Sequence, residues 1–263
     1  SNKIEDSEIS RINSAGGNPV EVSKETIKLI KKGIYYSEMS DGAFDITIAP
    51  VSSLWDFKAE TPSVPSPEAI AEAVSHVNYE NIIIRDNTVK LADPQAGIDL
   101  GAIAKGYIAD RIKDYLEEEG VRHAMINLGG NVLCVGKRPD GAPFKIGLQR
   151  PYATHTETVA ALKIDDMSVV SSGVYERHFV ENGVNYHHIL DPATGYPYEN
   201  GLTQVSIISP RSVDGDGLST TCFALGLEEG TRLIESMDQI YGIFLTEDGE
   251  LHYTRGAEDF LDR

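Results

Sequence analysis

Apolar residues recur at helical spacing in several stretches of this chain and at strand spacing in many more. Between Ser23 and Met39, Ile27, Ile30 and Ile34 fall three to four residues apart with lysines between them. Ser23 is placed to cap the first turn, so the pattern predicts an amphipathic helix. The following DGAFDITIAPVSSLWDF is punctuated by Asp41-Gly42, and Pro50 disfavours a continuing helix, so it reads as loop and short extended structure. TPSVPSP, from Thr61 to Pro67, is linker-like and ends in a second helix start, with Ser66 as cap and Pro67 at the first position. Its apolar face is Ala69, Ile70, Ala73 and Val74.

Strand patterns dominate the rest. NIIIR and TVKLA flank Asp86-Asn87 as a hairpin, and a helix from about Gly101 to Glu119 is stopped by Gly120. From His123 to Ile164 the apolar runs shorten to strand length. A second hairpin turns at Glu181-Asn182-Gly183, because Asn and Gly tolerate the positive φ of tight turns. TQVSIIS is another strand. Helices are predicted at about Gly217–Leu227 and Glu228–Met237, with closing strands in YGIFL and LHYTR. Hairpin signals outnumber strand–helix–strand units, so the expected class is mixed α+β, with largely antiparallel sheets and packed helices.

Composition narrows the function classes. With 263 residues, 41% of them apolar, the chain can bury a sizeable core as one large domain or two packed lobes. A formal net charge of −18 disfavours attraction to nucleic acid or anionic lipid. Cys134 and Cys222 lie far apart without CxxC spacing, which points to neither a zinc site nor a disulfide framework. No apolar run is long enough to span a bilayer. The chain opens at Ser1-Asn2-Lys3 without a basic or apolar leader, so an export signal or lipid anchor is expected to be absent or removed.

Four segments carry residues suited to chemistry. IDLGAIAKGY sets Asp99 and Lys105 on either side of a Gly-Ala turn that opens a helix, where free amide groups favour anions. The spacing is not that of a phosphate-binding Walker loop, and an ordinary strand-to-helix turn is an equal reading. VDGDGLSTT places Asp216 and Thr220 four apart, on one helix face, where a carboxylate and a hydroxyl reach one hard cation. The alternative is a helix cap and a buried hydroxyl. YHHILDPATGYP carries His187 and His188 ahead of an Asp191-Pro192 turn; on a strand the two histidines face opposite ways, so only one can serve a given site, and the plainer reading is half-buried strand histidines with Asp191 only initiating the turn. NLGGN, from Asn127 to Asn131, lets a ligand approach the backbone or is merely a bulge. GxGxxG, GxSxG and HExxH are all missing.

DSEISRIN, DGAFDITIAP, IDLGAIAKGY, NLGGN, SSGVYERHF, YHHILDPATGYP and DGDGLSTT, in this order from Asp6 to about Leu227, resemble the ApbE flavin transferase family. The resemblance implies an enzyme that binds FAD and Mg²⁺ and transfers FMN to a threonine hydroxyl of an acceptor protein, forming a phosphoester and releasing AMP. It implies an FAD site in a cleft between sheet and helices. The side chains of Asp216 and Thr220 and the carbonyl of Ala102 are expected to ligate magnesium, and Asp99 and Lys105 to position FAD. His188 is the expected general base. Ser172, Gly173 and Glu176, with Asp41, Asp45 and Asp191, are expected to line the nucleotide pocket. The implied acceptor is a subunit of a membrane redox complex, and the implied location is extracytoplasmic, on a lipid anchor preceding this sequence. Where many family members carry an aromatic residue before DSEIS, this chain has Asn2-Lys3-Ile4. That departure makes FAD hydrolysis to FMN and AMP the first alternative; a non-catalytic FAD-binding protein is the second.

Overall fold

The computed structural model describes residues 4–153 and 157–262, so the Asn2-Lys3 departure lies outside the described residues. The chain divides into two compact units: residues 1–102 with 177–198, and 103–176 with 199–263. The fold is mixed α+β, and every pairing between its strands is antiparallel.

The first unit opens with α1 (Glu8–Ser14), β1 (Val20–Glu21), α2 (Lys24–Met39), α3 (Ala49–Ser52), α4 (Pro67–Val74), β2 (Ile82–Arg85) and β3 (Thr88–Leu91). The Ser23 and Ser66 hydroxyls cap α2 and α4 by accepting from the amides of Thr26 and Ala69, so both starts legible in the sequence are realised. Asp86 turns the β2–β3 hairpin at φ 53°, and β1 joins it to make three strands in the order β1-β3-β2. The segment predicted as loop and extended structure contains α3 instead. Pro50 falls within its first turn, where a missing amide costs nothing.

The second unit begins with α5 (Ala104–Glu118), β4 (Ala124–Asn127), β5 (Asn131–Val135), β6 (Phe144–Gln149), β7 (Thr158–Ile164) and β8 (Ser168–Gly173). The chain then returns to the first unit for β9 (His178–Glu181) and β10 (Val184–His187), turning at Asn182 and Gly183 with φ 50° and 81°. Phe179 and Tyr186 stack across this hairpin at 5.5 Å, and both rings pack on Trp55, whose Nε1 donates to the Gly195 carbonyl oxygen at 3.0 Å. Val51, Ile70, Ala73 and Leu190 complete that core. Aromatic and aliphatic side chains from distant segments are thereby removed from water around one indole, with Val51, Ile70, Phe179 and Leu190 each stabilising by about 1.5–3 kcal/mol.

The second unit closes with β11 (Leu202–Ser209), α6 (Ser212–Glu235), β12 (Tyr241–Thr246) and β13 (Leu251–Tyr253). Its six-stranded sheet runs β13-β12-β11-β8-β5-β4, and β6-β7 forms a separate hairpin whose Ile146, Leu148, Leu162 and Ile164 share a core with Val132, Val169 and Ile208. The sequence predicts helices at Gly217–Leu227 and Glu228–Met237. The structure has one element that starts at Ser212 and is broken at Gly226, where φ 80° and ψ 179° interrupt the helix. Its early start has a tertiary cause: the Asp110 carboxylate of α5 accepts from the amides of Ser212 and Val213 at 2.7 and 3.0 Å. A side chain remote in sequence thus satisfies first-turn donors that no local residue caps. No helix among the described residues is long and apolar enough to cross a membrane.

Candidate functional site

In the second unit the period of two along β8 meets the period of three to four along α6. Ser168, Val170 and Ser172 alternate onto the face that α6 covers, opposite Ser212, Gly215 and Thr220. The Ser168 hydroxyl bonds that of Ser212 at 3.0 Å, and Ser172 Oγ lies 2.8 Å from Ser219 Oγ and 3.1 Å from Thr220 Oγ1. Between these contacts Gly215 lets the strand approach, since a Cβ there would sit 2.7 Å from Val170 Cγ2. Gly215 of DGDG is therefore a packing position within a helix.

Asp216 stands on this face one turn before Thr220 and is 5% exposed. Its Oδ2 accepts from the Gly106 amide at 2.7 Å, in the first turn of α5. The opening of α5 that the sequence offered to an external anion is thus partly occupied by a carboxylate of the chain itself. Gly106 is required for this approach, because a Cβ would fall 2.2 Å from the Ser212 carbonyl oxygen. Burial pushes the Asp216 carboxyl up to about 6; the Gly106 amide, the Lys105 ammonium and the Asn131 side chain oppose that rise. A carboxylate so desolvated gains more from a positive partner than one in water.

The donor set indicates which cation fits. No group of three or more His, Cys, Asp or Glu side chains among the described residues is clustered to hold a metal alone. One carboxylate with neighbouring hydroxyls suits a hard, oxygen-preferring ion that keeps positions for water and substrate phosphates, as Mg²⁺ does, and lacks the nitrogen or sulfur ligands of a structural zinc site.

The other expected residues are placed as follows. Gly173 ends β8, where a Cβ would meet the Tyr175 ring at 2.4 Å, and Glu176 is exposed just beyond it. In the first unit, Asp99 accepts from the Gly101 amide at 2.8 Å and from the Ser52 hydroxyl at 3.3 Å, fixing the turn that carries Ala102. His187 is buried and engaged at both nitrogens, to the Tyr198 carbonyl oxygen at 3.0 Å and the Ile189 amide at 3.3 Å. His188 is half-buried directly after β10, with its amide on the Arg177 carbonyl oxygen at 3.1 Å.

Three aspartates have local structural work. Asp191 accepts from the Ala193 amide at 2.9 Å and the Thr194 hydroxyl at 3.0 Å, making the turn through Pro192. Asp45, buried and raised by burial, accepts from Thr47 at its amide and hydroxyl, 2.7 and 2.6 Å, and from the Tyr79 amide at 2.9 Å. Asp41 takes the left-handed conformation, φ 51°, just after α2. Ser219, Gly106 and Asp110 are the site-building residues the sequence did not single out. Their roles depend on α5, α6 and β8 meeting, which no local pattern encodes. Two surface hollows of this unit, about 630 and 550 Å³, include none of the site residues.

Known proteins resemble this chain in sequence and fold. A curated protein of Klebsiella pneumoniae (strain 342) named FAD:protein FMN transferase is 40% identical over 94% of this chain and 77% of its own length. One of the same name from Treponema pallidum (strain Nichols) is 33% identical over 97% of this chain and 75% of its own. Among solved structures, the ApbE protein of Thermotoga maritima superposes with a TM-score of 0.91 at 33% identity, covering 100% of this chain and 86% of that one. The flavin transferase ApbE of Vibrio cholerae gives 0.88 at 30% identity, over 99% and 85%. With the ApbE family model matching residues 1–244 as well, the chain belongs to the ApbE family.

Proposed function

We propose that the chain is an Mg²⁺-dependent FAD:protein FMN transferase, which moves FMN from FAD to a threonine hydroxyl of an acceptor protein and releases AMP. The observation that carries this reading is the buried Asp216 carboxylate on one helix face with Thr220, beside the hydroxyls of Ser172 and Ser219. The curated relatives named for this reaction support it. In this reading Asp216 and Thr220 hold the cation, Asp216 through the oxygen not given to Gly106. When bound, Mg²⁺ supplies the positive charge that lets a hydroxyl approach the pyrophosphate of FAD and lets AMP depart. Lys105, whose charge already acts on Asp216, adds to the positive field there.

A threonine hydroxyl is a weak nucleophile at neutral pH, and a positioned base contributes roughly 10²–10⁴-fold. His188 takes that role. The oxygen of the acceptor hydroxyl bonds to the FMN phosphorus, the bond from that phosphorus to the oxygen of AMP breaks, and the hydroxyl proton goes to His188. His187 is unsuited, because its ring is committed to backbone partners and burial depresses its pKa to about 4. A membrane redox subunit as acceptor, and a lipid anchor outside the cytoplasm, belong to the same proposal.

The test follows AMP release from FAD in Mg²⁺ with and without acceptor. Release that requires the acceptor supports transfer. Equal release without it replaces the proposal with FAD hydrolysis, and a bound yellow flavin with no AMP replaces it with a carrier.

A further inference from the structure

The NLGGN motif has a second component besides its glycines. Gly129 and Gly130, at φ 64° and 91°, make the tight turn between β4 and β5, and the Asn127 side chain closes it by accepting from the Gly130 amide at 3.1 Å. The turn delivers Asn131 to the start of β5 with its side chain inside the protein, 0% exposed. There its Oδ1 accepts from the Ser212 hydroxyl at 2.7 Å. Ser212 is itself fixed: its hydroxyl receives the Ser168 hydroxyl at 3.0 Å, and its amide donates to Asp110 at 2.7 Å. Ser212 also sits one helical turn before Asp216, on the same face of α6.

This fixes which way the Asn131 amide faces. With Oδ1 committed to Ser212, the Nδ2 donors turn away from that hydroxyl. Nδ2 is buried without a hydrogen-bond partner, beside the turn of α6 that runs from Ser212 to Asp216. A desolvated donor is costly unless it meets an acceptor, and a carboxylate is the strongest acceptor available to it.

Resting on the assignment of Asp216 as a cation ligand, we propose that Asn131 is a positioning residue. Anchored by Ser212, its amide orients the Asp216 carboxylate so that one oxygen faces the cation while the other stays on the Gly106 amide. Such outer partners of metal ligands change affinity by roughly 10–100-fold when removed.

The direct test is Mn²⁺ affinity, read by electron paramagnetic resonance on the full chain without flavin, for wild type, Asn131→Ala, Ser212→Ala and Asp216→Ala. Asn131→Ala is expected to weaken Mn²⁺ by roughly 10–100-fold with its circular dichroism spectrum retained, and Ser212→Ala to weaken it less, in the same direction. Wild-type affinity in folded Asn131→Ala overturns the proposal. If that variant does not fold, Ser212→Ala decides, and wild-type affinity there overturns it. Wild-type affinity in Asp216→Ala instead removes the assignment of the cation to Asp216, a different failure.

Discussion

The His187 ring donates from Nε2 to the Tyr198 carbonyl oxygen and accepts at Nδ1 from the Ile189 amide, which fixes one neutral tautomer. Burial lowers its pKa from 6.5 to about 4, so the folded chain binds fewer protons than the unfolded chain between these values. Its contribution to stability is complete above pH 6.5 and is lost as the pH falls toward 4, in total roughly 3 kcal/mol. Denaturant midpoints at about pH 7.5 and about pH 5 should therefore drop less in His187→Gln than in wild type; an identical drop would contradict the account. His188 is expected to behave otherwise. His188→Ala should keep FAD affinity and lose roughly 10²–10⁴-fold in transfer rate, and undiminished transfer would remove it as the base. Asp216→Ala should lose cation binding and transfer together, which calorimetric Mg²⁺ titration beside an activity assay would show.

At the scale of elements, α5 and α6 are joined by two reciprocal contacts: Asp110 of α5 caps the start of α6, and Asp216 of α6 caps the start of α5. Gly106 sits at the crossing. Gly106→Ala places a Cβ 2.2 Å from the Ser212 carbonyl oxygen, so the helices must part, at a cost of about 1–3 kcal/mol or more. Asp110→Ala leaves two first-turn amides, that of Ser212 buried and that of Val213 partly so, without their acceptor and should cost about 2 kcal/mol. Thermal unfolding measures both, and an unchanged Tm in either variant would refute the packing described. These contacts also mark where the sequence stopped being legible. The Ser23 and Ser66 caps, the Asp86 and Asn182-Gly183 hairpins and the four-residue spacing of Asp216 and Thr220 are local signals, and each is realised in the structure. The helix start at Ser212 was unreadable because its cap lies on α5 and Gly215 serves the approach of β8. The helix at Ala49–Ser52 was hidden by a proline that belongs to its first turn.

On the scale of the molecule, the chain is threaded so that sequence order conceals the grouping. Residues 177–198, bearing His188 and Asp191, leave the second unit's stretch of chain and join the first, where Trp55 organises them. Asp216 and Thr220 belong to the second unit with Ser172 and Asn131. Periodicity told strands from helices but could not assign them to units, because that assignment rests on contacts far apart in sequence. The family's motifs carried the functional reading, and they fall in both units. The most direct measurement is the mass of a candidate acceptor domain after incubation with this protein, FAD and Mg²⁺, with and without EDTA. The account predicts a gain of one FMN residue on a threonine, abolished by EDTA. An acceptor of unchanged mass alongside free FMN and AMP, or a gain that persists in EDTA, would contradict it.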